Sequence, residues 1–175
     1  MPINFLEPGC QTVSGQPLFG LCDRPDPAKD PAYIDESNRT DWIAEVHNPQ
    51  SLPVEFFAVD HCPGVEPTRS NGEKSRRCDG ILRFANNLRF IELKDRDHRG
   101  WISGGRKQLT ETIEFYQLHH NDLDSFEHVD AYIANKQRPS AVVSIITEIQ
   151  KFKDDTALLL NNKGLLLSIN RNILL

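Results

Sequence analysis

The sequence predicts a mixed α/β domain built on a central sheet. Three observations carry that prediction. "CDGILRFANNLRFIELKD", residues 78 to 95, reads as two apolar strands joined by a turn. "LPVEFFAVD", residues 52 to 60, is rich in Val and Phe and reads as a strand ahead of them. "RKQLTETIEFYQLHH" then repeats Leu109, Ile113 and Tyr116 at helical spacing.

Taken in chain order, residues 1 to 31 hold six of the eleven prolines and three of the ten glycines, so segment 1–32 reads as an irregular, extended arm. The segment "YIDESNRTDWIAEVHNP" offers Asp, Ser, Asn and Thr as helix N-caps. Trp42, Ile43 and Val46 follow as an apolar stripe and Pro49 as a stop, which predicts a helix within residues 33 to 49. The strand 52–60 follows, and residues 61 to 75 form a loop of a length that is commonly functional. Next comes the strand pair of 78–95. "HRGWISGG" reads as a loop, with a helix beginning near Gly105. "FEHVDAYIANKQ" (126 to 137) reads as a strand, residues 140 to 153 as a helix, and "TALLL" with "GLLLSI" as a terminal strand pair around "NNK". Residues 33–175 thus form one domain, ordered helix, three strands, helix, strand, helix, two strands.

The chain has 175 residues, 38% hydrophobic and 26% charged, the composition of a globular protein with a real core. No apolar run reaches the ~18 residues that span a membrane. The N-terminus lacks the basic and apolar regions of a secretory signal, so the expectation is a cytoplasmic protein. The four cysteines show no C-x-x-C pair and are expected as free thiols. His61, Cys62 and Cys78 could supply three zinc ligands, with nothing to fix a fourth. The net charge of −5 argues against tight, unaided nucleic-acid binding, though a local basic patch can suffice.

Within 78–95, Glu92 and Lys94 share one strand face, while Ile91, Leu93 and Asp95 share the other. With Asn86-Asn87 as the hairpin turn, Asp79 opposes Lys94 and Ile81 opposes Glu92, so Asp79, Glu92 and Lys94 converge. Two carboxylates on one patch repel unless a cation joins them. Hard oxygen ligands of this kind suit Mg²⁺ or Mn²⁺, and a lysine beside them can hold a water and offset phosphate charge. Taken alone, E-x-K arises often by chance, and Asp79 with Lys94 would make an ordinary cross-strand ion pair. The apolar neighbours Gly80, Ile81, Ile91 and Leu93 mark the strands as central, where charges need a reason.

Asp79-Gly80 on one strand, Glu92-Leu93-Lys94 on the next, and a following helix that carries Gln108 resemble the PD-(D/E)XK nuclease superfamily, which includes restriction endonucleases, Holliday-junction resolvases and RecB-like nucleases. The resemblance covers residues from about 33 to 137, with Cys78 where the family name has its proline. It implies a restriction-endonuclease-like αβββαβ core with a central mixed sheet flanked by helices. By position it implies that Asp79, Glu92 and the Leu93 carbonyl ligate Mg²⁺ or Mn²⁺. Lys94 then activates or positions water, Gln108 orients the site, and Glu45 stands where some branches carry an extra carboxylate. Arg76, Arg77, Arg99, Arg106 and Lys107 are candidates to meet phosphate.

The expectation is a metal-dependent nuclease that hydrolyses phosphodiester bonds in nucleic acid, with DNA favoured over RNA. Small size and acidic charge point to a protein partner subunit or a homo-oligomer, with no membrane. The rival expectation is a nuclease-like fold that serves as a binding or scaffolding subunit, for which the full Asp79, Glu92, Lys94 set has no physical use.

Overall fold

The computed structural model describes residues 2–25, 27–138 and 145–175. Strands β1 (Gln11–Ser14), β2 (Leu18–Cys22), β3 (Tyr33–Asp35), β4 (Ala44–His47), β5 (Val54–Ala58), β6 (Gly80–Phe84) and β7 (Asn87–Lys94) precede helix α1 (Trp101–His119). Strand β8 (His128–Asn135), helix α2 (Ile145–Leu159), β9 (Leu166–Ile169) and β10 (Asn172–Leu174) follow. They form a six-stranded sheet, ordered β1-β5-β6-β7-β8-β9, and a four-stranded sheet, ordered β10-β4-β2-β3. Both sheets are mixed: β1, β5, β6 and β7 pair antiparallel and β8 and β9 add in parallel, while β10 is the parallel member of the smaller sheet.

The layers follow from the alternation of β7. Leu88 and Phe90 pack with Leu109, Ile113 and Tyr116 of α1 and Phe152 of α2. Ile91 and Leu93, on the opposite face, pack with Phe19, Leu21, Val46 and Ile173 of the smaller sheet. A strand apolar on both faces belongs in the middle of a domain, and each such side chain contributes roughly 1.5–3 kcal/mol when fully buried. The molecule is therefore helices on the large sheet, and the large sheet on the small one. The expected sheet flanked by helices holds on one face only; the other is covered by strands.

The mixed α/β class, the strand at 52–60, the central strand pair, α1 and β8 are as the sequence predicts. The helix within 33–49 is not: that stretch supplies β3 and β4. Its apolar residues fit a strand, because Ala44 and Val46 alternate inward and Trp42 fills the space above Gly20, where an added Cβ would lie 2.0 Å from the indole. Among the described residues, no α-helix precedes the β5–β7 meander, and a single 3-10 turn at Pro8–Cys10 is the one helical element there. Segment 1–32, expected as an irregular, extended arm, contributes regular strands: β1 edges the large sheet and β2 is an inner strand of the small one.

Helix α1 begins at Trp101 rather than near Gly105, so residues 101–105, expected as loop, are helical; Gly100, just before it, has a φ of 89° that supplies the left-handed entry. Of the helix expected over 140–153, its first residues lie outside the described ones, and α2 runs on through "TALL". "LLSI" is β9, and its successor β10 crosses to the other sheet, so no terminal hairpin forms. Two of the four cysteines are not free: Cys10 and Cys62 form a disulfide, with Cys22 and Cys78 left as buried thiols. That pairing removes Cys62 from the zinc reading, and Cys78 turns its Sγ to the Gly80 carbonyl, 3.5 Å away. No helix among the described residues is long and apolar enough to cross a membrane.

Candidate active site

Asp79 stands just before β6, where its carbonyl accepts a hydrogen bond from the Val59 backbone at 2.9 Å. Gly80 follows because a Cβ there would lie 2.3 Å from the Phe56 ring and 2.8 Å from the Phe57 carbonyl. The hairpin pairs Phe84 with Asn87 and Ile81 with Phe90, so the turn residues are Ala85 and Asn86 rather than Asn86 and Asn87. This moves the expected register by two positions along β7. An even slip keeps every side chain on its face, so Asp79 still projects with Glu92 and Lys94. All three face the layer of α1, which approaches closely at Gly105, where an added Cβ would come within 3.2 Å of Glu92 Cγ.

Burial gives this cluster its chemistry. Glu92 is 1% exposed and Asp79 8%. The Asp79 Oδ2 accepts from the Leu93 backbone N–H at 2.5 Å. Glu92 Oε1 is ion-paired with Lys94 Nζ, and Lys94 Nζ also donates to Gln108 Oε1 at 2.8 Å. Gln108 in turn donates through Nε2 to the Arg77 carbonyl at 2.9 Å. Glu92 Oε2 is buried and has no hydrogen-bond partner among the described residues. Burial, opposed by the Lys94 charge, pushes the Glu92 carboxyl up to about 7. Burial, with the neighbouring Glu92 charge adding to it, holds the Asp79 carboxyl well above the usual carboxylate range.

These atoms fit a hard divalent cation. An orphaned buried carboxylate oxygen beside a second buried carboxyl is costly without a positive charge. The Lys94 carbonyl is taken by the Lys136 N–H on the β8 side. Carbonyls alternate along a strand, so that of Leu93 turns the other way, to where β6 has already ended. Among the described residues, no group of three or more His, Cys, Asp and Glu side chains is set to hold a metal. Two carboxylates, a carbonyl and waters are the supply that Mg²⁺ takes when it keeps part of its hydration shell.

The cluster opens into a cleft of about 450 Å³ lined by Asp79, Glu92, Leu93, Lys94 and Gln108, together with Asp23, Asp60 and His61. The last three were not assigned to this site from the sequence, because they come from the segments after β2 and β5 and share no spacing with the strand pair. A second cleft of about 660 Å³ shares Asp60 and Gln108 with the first and adds Arg76, Arg77 and Lys107. Arg76, Arg99 and Lys107 are exposed.

The other expected residues have other duties. Arg77 is largely enclosed, with one guanidinium nitrogen on Asp60 at 2.8 Å and another on the Val65 carbonyl at 2.7 Å. Arg106 pairs with Glu148 at 2.7 Å and Asp155 at 2.5 Å, tying α1 to α2. Glu45 lies on β4 against Arg39 at 3.1 Å and Arg171 at 3.8 Å, and lines neither cleft.

No family model, curated protein or solved structure matches the chain.

Proposed function

We propose that the chain is a metal-dependent nuclease hydrolysing phosphodiester bonds in nucleic acid, with DNA the preferred substrate and Mg²⁺ or Mn²⁺ the cofactor. One observation carries this reading: the buried, unpartnered Glu92 Oε2, beside a buried Asp79 and within the reach of a lysine. A structural ion pair would leave no oxygen orphaned.

Asp79, Glu92 and the Leu93 carbonyl would hold the ion, which supplies a polarised water and charge neutralisation at the phosphate. Lys94 orients that water and offsets negative charge at the phosphorus as it becomes five-coordinate. Gln108 fixes the Lys94 ammonium, and through the Arg77 carbonyl it ties α1 to the strand pair. Arg76 and Lys107 line the adjoining cleft, where a nucleic-acid backbone leaving the site would pass. The acidic chain suits a protein partner or a second copy that adds affinity for the substrate.

The test is incubation with plasmid, single-stranded DNA and RNA in Mg²⁺ or Mn²⁺, with a chelator control and the Lys94→Ala variant. Cleavage that needs both the metal and Lys94 supports the proposal. A wild-type chain that binds DNA but never cuts it would favour the scaffolding alternative.

A further inference from the structure

The turn after β5 carries two residues that the cluster above leaves unused, Asp60 and His61, and both line the same cleft. His61 Nε2 lies 3.4 Å from Asp60 Oδ2, while Asp60 Oδ1 is held by Arg77 at 2.8 Å and by the His61 backbone N–H at 3.0 Å. The dyad is thus continuous with the polar chain that runs from Glu92 through Lys94 and Gln108 to Arg77. Its backbone is fixed as well. His61 has a φ of 59°, in the left-handed region that non-glycine residues enter at a cost. The next residue, Cys62, is tied by disulfide to Cys10 and closes the turn onto the Val59 carbonyl. The histidine is thus held in place on the same cleft that Asp79, Glu92 and Lys94 line.

Resting on the nuclease reading, we infer that His61 is the proton donor to the leaving oxygen, and that Asp60 and Arg77 are the residues that position it. In this step the water oxygen bonds to phosphorus while the bond from phosphorus to the leaving nucleotide oxygen breaks. The electron pair of that bond stays on the leaving oxygen, which takes the proton from His61. The proton lost by the attacking water passes to solvent in the cleft and restores the imidazolium. With Nε2 directed to Asp60, Nδ1 is the nitrogen that serves the substrate.

The test compares two leaving groups. An alkoxide leaving from DNA needs a proton, whereas p-nitrophenolate leaving from thymidine 5′-(p-nitrophenyl phosphate) does not. His61→Asn suits the left-handed backbone and cannot act as an acid. It should slow DNA cleavage about 100-fold, within the usual range for loss of a general acid, and change aryl ester hydrolysis less than about twofold. Asp60→Asn should give a smaller loss with the same selectivity, and thermal melts should show both variants folded. Equal losses on the two substrates, or no loss on DNA, would overturn the inference and leave the nuclease reading intact. A wild-type chain inactive on both substrates would remove the nuclease reading and this inference with it.

Discussion

The Glu92 carboxyl is the residue on which site chemistry and stability meet. Its folded pKa of about 7 lies above the ordinary 4.5. Between those values the folded state holds more protons than the unfolded one, so stability falls as pH rises through that window and levels off above it. Asp79 shifts in the same direction and adds to the fall. In chelator, the protein should melt higher at pH 5 than at pH 8. Lys94→Ala removes the cation that opposes this shift, so the gap in melting temperature between variant and wild type should widen from pH 5 to pH 8. The same substitution should reduce cleavage at least about 100-fold, the scale of losing one preorganised charge at a transition state. A uniform destabilisation at both pH values would mean that Lys94 is a packing residue rather than the counter-charge of Glu92.

At the scale of elements, Arg106 shows how a basic residue beside a site can belong to the fold. Removing it leaves Glu148 and Asp155 without their partner on α1, and Arg106→Ala should cost about 2 kcal/mol by the usual worth of charged hydrogen bonds. Nucleic-acid affinity should not change, and denaturant unfolding with a parallel binding titration separates the two. The disulfide joins Cys10, beside β1, to Cys62 across 52 residues. Its reduction should destabilise by about 4 kcal/mol on loop-closure grounds, read as a lower denaturation midpoint.

The same elements show what a sequence discloses. The convergence of Asp79, Glu92 and Lys94 was legible because strand periodicity survives an even register slip. The turn itself was misplaced, since Ala85 takes a φ of 46° that Asn would be expected to take instead. Residues 33 to 49 misled because Trp42, Ile43 and Val46 satisfy a helical stripe about as well as a strand beside a large ring. Prolines hid β1 and β2; β1 pairs with β5 forty or more residues further on, and β2 with both β3 and the more distant β4. Asp60 and His61 carry no motif; only folding brings them to the strand pair.

For the whole molecule, a net charge of −5 sets the terms of any encounter with nucleic acid. Of the five basic candidates, Arg76, Arg99 and Lys107 are exposed, and Arg76 and Lys107 line the second cleft, with Arg76 also 3.8 Å from Glu111. Arg77 and Arg106 are largely enclosed and engaged by acidic partners. About three phosphate contacts predict a slope near −2.7 for log affinity against log salt on duplex DNA. A slope of −6 or steeper in the isolated chain would require basic residues beyond these three, such as Arg24 and Arg96, which are exposed and line the first cleft.

The route of the chain through its two sheets has a consequence in time. Strand β4 is bordered on one side by β2, its near neighbour in sequence, and on the other by β10, more than a hundred residues later. A growing or refolding chain can assemble β2, β3 and β4 early, yet the outer edge of β4 stays open until residues 172–174 arrive. Val46, on that edge, is fully buried once β10 is in place. In the interval it borders a row of unpaired backbone groups, the kind of edge on which two molecules can join wrongly. Non-local closure of this sort is slow. Refolding should therefore be concentration-sensitive, with yield falling as protein concentration rises, and chains cut before residue 172 should aggregate even though everything that forms the cleft is present.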